Sequence, residues 1–118
     1  MKVLSTFQAV ENLLGEIKKR IAEDGLLYMN SRSKNAQTLA DLGLTAQEQK
    51  GIIDSIKPED YCGGPEPDDK YQWKYVAVFG KVVDGIELYI KFSIGVPGTP
   101  IVCLSFHEAD GPMFYKFK

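Results

Sequence analysis

The chain has 118 residues, of which 44% are hydrophobic and 25% are charged, so its composition is that of a folded protein rather than a disordered one. This length fits a single domain spanning residues 1–118. The net charge of −2 argues against a generally basic nucleic-acid-binding protein. The charge is unevenly divided, with 8 basic against 12 acidic residues in 1–69 and 6 against 4 in 70–118, so an anionic ligand is expected on the C-terminal half.

The first predicted element is an amphipathic helix. Apolar residues recur every three or four positions over residues 7–21, which places them on one helical face. Ser5 or Thr6 can cap the start of this helix, and Gly25 is expected to end it. Residues 26–30 are either a short strand or only a connection.

Two further helices are expected before residue 58. Ser33 is a candidate cap for the second helix, which Gly43 stops. Thr45 and Glu48 form a capping box at the start of the third helix, because each side chain can bond the backbone N–H of the other residue. Pro58 closes that helix, so residues up to this point make a helical half.

The next segment, residues 59–70, is rich in Gly, Pro and Asp and is predicted to be a loop. It divides the helical half, 1–58, from a sheet half, 71–118. Three strands are predicted in the sheet half, and an aromatic tail that can add an edge strand follows them: 71–82, 86–94, 102–107 and 112–118. The fold class is therefore α+β, with N-terminal helices packed on one face of an antiparallel β-sheet.

The hairpin between the first two of these strands can pair in two registers. A loop of residues 84–85 places Lys81 opposite Leu88 on the buried face, where a charge is costly. A loop of residues 83–85 places Lys81 opposite Glu87 on the other face, and we favour this register. It also points three valines toward the core, namely Val76, Val78 and Val82.

The following hairpin, centred on Gly98, sets His107 opposite Tyr89 and Ser105 opposite Lys91. Alternation along the last strand directs Cys103 to the same side as Ser105. One face of the sheet, opposite the core, is thus predicted to carry five polar residues: Lys81, Tyr89, Lys91, Ser105 and His107.

This set of side chains suits cleavage of RNA without a metal, through the RNA's own 2′-hydroxyl. His107 is the candidate for proton transfer, because histidine exchanges protons near neutral pH, and Tyr89 can assist it. Lys81 and Lys91 can stabilise the charge that builds on the phosphate. Candidate substrate contacts are the aromatic residues Tyr61, Trp73 and Phe79, on which unpaired bases can stack, and Ser105.

A simpler interpretation is that the polar face is ordinary solvated surface, since such faces commonly carry Lys, Tyr and Ser. In that case a non-catalytic interaction module is expected, which would bind a protein partner through the acidic segment 59–69 and the aromatic tail. Cys62 is expected to be an exposed thiol and Cys103 a packing residue. No Cys/His cluster has zinc spacing.

A set of short motifs, in this order along the chain, resembles toxins of the motility quorum-sensing regulator (MqsR) family, which have a RelE-like fold. The motifs are Leu42-Gly43-Leu44, Asp60-Tyr61, Gly64-Pro65, Phe79-Gly80-Lys81, Leu88-Tyr89-Ile90-Lys91 and Cys103-Leu104-Ser105-Phe106-His107. The resemblance covers roughly residues 39–107. Tyr89 stands where the family has its catalytic tyrosine in a Tyr-x-Lys strand, and His107 stands where members can carry a lysine after Ser-Phe.

The resemblance implies an mRNA interferase toxin of a type II toxin–antitoxin system. Such an endoribonuclease cuts mRNA without a metal or other cofactor, and a cognate antitoxin, commonly with a helix-turn-helix domain, neutralises it. A cytoplasmic location is expected, because no apolar run approaches the roughly 20 residues that span a bilayer and the first residues do not form a signal peptide. No membrane partner is therefore expected.

Overall fold

The computed structural model describes all residues from Met1 to Lys118 and contains three helices and five strands. The helices are α1 (Phe7–Asp24), α2 (Ser33–Leu42) and α3 (Ala46–Asp54). The strands are β1 (Leu26–Tyr28), β2 (Tyr61–Pro67), β3 (Tyr75–Val83), β4 (Ile86–Ile94) and β5 (Ile101–Glu108). They form one sheet in the order β1-β5-β4-β3-β2. The α+β class is confirmed, but β1 runs parallel to β5, so the sheet is mixed rather than antiparallel.

Most helix ends lie where local chemistry predicts, with two corrections. Ser33 is the first residue of α2 and not its cap, since Arg32 precedes the helix without a side-chain cap bond, and α3 ends at Asp54, before Pro58. The Thr6 side chain accepts a hydrogen bond from the backbone of Ala9, and Gly25 follows the last residue of α1 with a φ of 96°. Gly43 ends α2 in the left-handed conformation, which an L side chain rarely adopts. The capping box at the start of α3 is present. These ends depend on contacts three or four residues apart, which is why the sequence is sufficient to locate them.

The core lies between the helices and one face of the sheet, here called the core face. It is a single cluster of 14 buried residues. From α1 it takes Val10, Leu14 and Ile17, and from the sheet it takes Phe79, Phe92 and Phe106 among others. Burying an apolar side chain of this size contributes about 1.5–3 kcal/mol. The opposite side, here called the open face, carries Tyr89, Lys91, Ser105 and His107.

The β3–β4 hairpin has a two-residue loop, and not the three-residue loop that the sequence favours. Val83 pairs with Ile86 across a two-residue turn, so Lys81 lies opposite Leu88 and not opposite Glu87. Asp84 and Gly85 both have positive φ angles, 51° and 79°, as the tight hairpin turn requires. The predicted three-residue loop is therefore wrong. The charge of Lys81 is accommodated on the core face because an acidic partner, Asp60, lies beside it.

The same register corrects the placement of the valines. Val76 and Val78 are buried as predicted, but they pair with Ser93 and Lys91 and so belong to the open side of the sheet. Val82, predicted to be in the core, is 57% exposed.

An irregularity in β5 changes its alternation. Ser105 pairs with Lys91 while Cys103 pairs with Phe92, so Leu104 is an extra residue in this strand. Cys103 and Phe106 consequently both face the core. The prediction that Cys103 shares a face with Ser105 is therefore wrong. The side chain of Asn35 on α2 supports this bulge: it donates to the Leu104 carbonyl over 3.1 Å and accepts from Phe106 N over 2.9 Å.

Two predictions about irregular segments are wrong. Most of the acidic segment 59–69 is the edge strand β2, where prolines are tolerated because the outer side of the strand has only an isolated bridge between Gly64 and Val3. The tail, residues 109–118, adds no strand. It folds back instead, so that the Tyr115 side chain lies against Gly80 and the Phe117 ring packs edge-on to Phe7. None of the helices is both long enough and apolar enough to cross a bilayer.

Candidate functional site

Four of the five predicted residues do come together on the open face. Tyr89 pairs with His107 and Lys91 pairs with Ser105, as predicted. The Tyr89 and His107 rings are stacked, with centroids 5.3 Å apart and planes 16° from parallel. Lys91 lies two residues after Tyr89 on β4, a distance of about 7 Å along the strand, so it is next to the stacked pair.

The orientation of the imidazole favours one nitrogen for chemistry. Nδ1 of His107 lies 2.8 Å from the carbonyl oxygen of Glu108, and His107 is partly exposed. A proton on Nδ1 donates to that carbonyl, which leaves the lone pair on Nε2 free to accept a proton from another molecule. The backbone therefore positions the ring as a proton acceptor.

Burial raises the pKa of the Tyr89 hydroxyl, with smaller contributions from Cys62 and Glu66. The phenol is therefore neutral at neutral pH and acts as a hydrogen-bond donor. A neutral donor beside an imidazole can bind an anionic oxygen without adding a second negative charge.

The stacked pair lines a pocket of about 570 Å³. Its other walls come from strands β2 and β3, the N-terminal residue and the tail, through Cys62, Val78, Met1 and residues 110–114. Glu87 holds the tail in this position. One carboxylate oxygen accepts from Met113 N over 3.3 Å, and the other accepts from the Tyr115 hydroxyl over 2.8 Å.

Lys81 is not part of this site. Its Nζ lies 3.0 Å from Oδ2 of Asp60 and 3.1 Å from the carbonyl oxygen of Ser55, on the core face. Lys91 is on the opposite side of the sheet, so the two lysines do not face one phosphate. The predicted catalytic role of Lys81 is therefore corrected to a structural one.

Two of the predicted base-stacking residues are also misplaced. Tyr61 and Phe79 are fully buried on the core face, and their rings contact each other edge-on at a centroid distance of 6.0 Å. The Tyr61 hydroxyl donates to the Gly64 carbonyl and accepts from Leu4 N. Neither ring offers a surface on which a base can stack, because the register of β3 turns Phe79 inward together with Lys81.

Trp73, the third stacking candidate, is 60% exposed. It lies just before β3, and its ring contacts the Tyr71 ring at a centroid distance of 5.1 Å with the planes inclined at 60°. An exposed pair of aromatic rings therefore borders the open face at the end away from the tail.

A second groove, of about 540 Å³ and here called the basic groove, was not predicted from the sequence. Its walls carry four cations, two serines that include the predicted substrate contact, one carboxylate and one aromatic ring: Arg32, Lys70, Lys74, Lys91, Ser93, Ser105, Asp68 and Tyr71. The run of lysines and aromatic residues from 70 to 75 is the signal that could have indicated it. Arg32 could not be foreseen, because its guanidinium reaches the Leu104 carbonyl, 72 positions away, over 3.0 Å.

The cysteines are not positioned as nucleophiles. Cys62 is half-buried rather than exposed, and burial raises the pKa of its thiol to about 12. Cys103 is buried, and burial raises its pKa to about 12 as well. Both are thiols at neutral pH. No three His, Cys, Asp or Glu side chains are grouped so that they could hold a metal ion.

No protein-family model matches the chain, and neither the curated proteins nor the solved structures include one with significant similarity to it. Function is therefore inferred from the chemistry of the open face. That face combines a stacked imidazole and phenol, an adjacent ammonium group and hydroxyl, and a groove with an excess of positive charge.

Proposed function

We propose that the protein is a metal-independent endoribonuclease that cuts mRNA on the open face. The observation that carries this proposal is the stacked Tyr89–His107 pair beside the Lys91–Ser105 pair. Together these four residues supply a proton acceptor, a neutral hydrogen-bond donor, a cation and a hydroxyl within two rungs of the sheet.

The proposed reaction is attack of an RNA 2′-oxygen on its own phosphorus. Nε2 of His107 takes the 2′-hydroxyl proton as the 2′-oxygen–phosphorus bond forms. The bond from phosphorus to the 5′-oxygen breaks, and that oxygen leaves with a proton from the imidazolium or from water. The products are a 2′,3′-cyclic phosphate and a 5′-hydroxyl, so atoms and charge balance without a redox step.

Lys91 and Tyr89 act on the phosphate oxygens in this scheme. The ammonium group offsets the negative charge that develops on them, and the phenol donates a hydrogen bond to one of them. Lys91 alone provides the charge at the scissile phosphate that was predicted for two lysines, because Lys81 is paired with Asp60 on the core face.

The proposal agrees with the resemblance to RelE-like toxins in one respect. The Tyr-x-Lys strand Tyr89-Ile90-Lys91 directs its tyrosine and lysine to the open face. We accordingly propose that the chain is the toxin of a type II toxin–antitoxin system and that a cognate antitoxin covers the open face. A small helix-turn-helix gene beside the coding sequence, and growth arrest on expression without it, are the expected signs.

The decisive experiment measures cleavage of single-stranded RNA in EDTA. We expect His107→Ala to reduce the cleavage rate about 10²-fold or more, because the proton acceptor is lost. Tyr89→Phe should reduce it about tenfold to 10²-fold, because only one hydrogen-bond donor is removed. Tyr75→Phe is the matched control: it removes a hydroxyl from another exposed tyrosine, on β3, and should cleave like the parent.

The products distinguish this reaction from contamination. The proposal is supported if the parent protein produces RNA fragments with 2′,3′-cyclic phosphate ends and the His107→Ala variant does not. RNA that stays intact with the parent protein, or cleavage that His107→Ala leaves unchanged, refutes it.

A further inference from the structure

We infer that the basic groove and the exposed rings beside it form a binding subsite for single-stranded RNA, which extends beyond the cutting site and shares only Lys91 and Ser105 with it. This inference rests on the proposed function in that it extends the RNA path on the same face. It adds four residues to the predicted stacking residue Trp73 and assigns a binding role to each: Arg32, Lys70, Tyr71 and Lys74.

The first reason is uncompensated charge. Five other basic residues form the ion pairs of this protein, and none of the four groove cations lies within 4.0 Å of a carboxylate. Asp68 is the single carboxylate in the groove, and its Oδ1 accepts from the backbone of Lys70 and Tyr71. A concentration of cations is unexpected on a protein with a net charge of −2, and it favours a ligand with several negative charges.

The second reason is continuity with the stacked pair. Lys91 and Ser105 line the basic groove and are also the sheet neighbours of Tyr89 and His107. The groove continues along β4 to Ser93, which lies about 13 Å from Tyr89 at the usual rise of a strand. An RNA strand whose scissile phosphate lies at His107 therefore passes along these cations.

The third reason is the exposed aromatic surface. The Lys70 and Lys74 ammonium groups lie 5.5 and 5.3 Å from the centre of the Tyr71 ring, and the Trp73 ring adjoins it. Aromatic faces interleaved with cations bind single strands, because unpaired bases stack on the rings while phosphates meet the charges. A duplex keeps its bases paired and an acidic peptide has no bases, so neither ligand accounts for the exposed Trp73 ring beside the groove.

The test measures equilibrium binding apart from cleavage. A fluorescein-labelled single-stranded RNA of mixed sequence is titrated with the full chain carrying His107→Ala, in EDTA, and fluorescence anisotropy is recorded. Adding Trp73→Ala should weaken binding about tenfold or more, because a stacking surface is lost. Adding Lys70→Gln and Lys74→Gln should weaken binding and reduce the slope of log affinity against log salt by about 1.4.

The matched control removes two charges elsewhere. Lys19 and Lys57 are exposed and have no ion pair, so Lys19→Gln with Lys57→Gln should bind RNA like the His107→Ala background. Circular dichroism checks that each variant is folded. The inference is overturned if Trp73→Ala and the groove lysine variant leave RNA affinity unchanged. It is also overturned if duplex RNA or polyglutamate binds as tightly as single-stranded RNA and Trp73→Ala does not weaken that binding.

The two proposals fail in different ways. Groove-dependent binding of single-stranded RNA by a parent protein that does not cleave it refutes the nuclease and retains the subsite. Cleavage that depends on His107, with no effect of the groove variants on affinity, retains the nuclease and refutes the subsite.

Discussion

Two lysines on neighbouring strands show how one non-local partner decides the fate of a side chain. Lys91 lies on the open face with no carboxylate within 4.0 Å, whereas Lys81 is held against Asp60 on the core face. An unpaired charge on a buried face is costly, so the sequence of an isolated strand favours placing Lys81 on the other face. The structure differs because the turn that follows α3 brings Asp60, 21 positions earlier, beside the lysine.

Replacing either lysine should therefore have a different effect. Lys81→Gln is expected to lower the free energy of unfolding by about 2 kcal/mol, because it leaves the buried Asp60 carboxylate without its nearest cation, and to leave RNA cleavage intact. Lys91→Gln is expected to leave stability within about 0.5 kcal/mol of the parent and to reduce cleavage. Urea unfolding and the RNA assay measure both quantities. A stable Lys81→Gln protein that no longer cleaves RNA would return Lys81 to the active site.

Elements defined by local signals were predictable, and elements defined by long-range contacts were not. The three helices follow from apolar spacing and local end signals, and the pairs Tyr89–His107 and Lys91–Ser105 follow from a hairpin centred on Gly98. The strand β2 was missed because Gly and Pro locally favour a loop, while its pairing with β3 stabilises an extended edge. The bulge at Leu104 was missed because its support, Asn35, is on a helix far away in the sequence.

The tail is another element held by long-range contacts, and Gly80 is the position where it is most easily disturbed. A Cβ at residue 80 would collide with the ring and hydroxyl of Tyr115. Gly80→Ala is therefore expected to displace the tail, lower the free energy of unfolding by about 1–2 kcal/mol and speed trypsin cleavage after the exposed Lys116.

A glycine in open space provides the control for this prediction. Gly51 lies in α3 with nothing within 4 Å of its Cβ position, so Gly51→Ala should stabilise the protein by about 0.5–1 kcal/mol. It should also leave the trypsin rate at Lys116 unchanged. Equal behaviour of the two variants would show that Tyr115 does not pack on Gly80.

At the scale of the whole molecule, several acidic groups are protonated more firmly in the folded protein than in the unfolded chain. Burial is the largest cause of the raised pKa in each of them: Tyr28, Tyr61, Cys62, Tyr89, Cys103 and Tyr115. Between the pKa of the unfolded group and that of the folded group, only the unfolded chain loses the proton. The folded state is therefore disfavoured as pH rises through that window.

We accordingly expect stability to be level near pH 8 and to fall above about pH 9. Cys103 changes from an ordinary pKa of 9.0 to about 12, so it alone removes about 1.4 kcal/mol per pH unit within this interval. Urea unfolding at pH 8, 9, 10 and 11 measures the decline. Cys103→Ala should show a shallower decline than the parent, and identical slopes would contradict the prediction.

The extra residue in β5 has a consequence for how the open face can vary. The inward and outward alternation of side chains is reversed between the two sides of Leu104. The number of residues at this point, more than their identity, therefore determines that the imidazole at 107 points to solvent while Phe106 points inward. Substitutions at 104 preserve this arrangement, whereas deletion of one residue there would exchange the inward-facing and outward-facing side chains in the rest of β5. Homologous chains should therefore tolerate a change of residue at this site far more readily than a change of length.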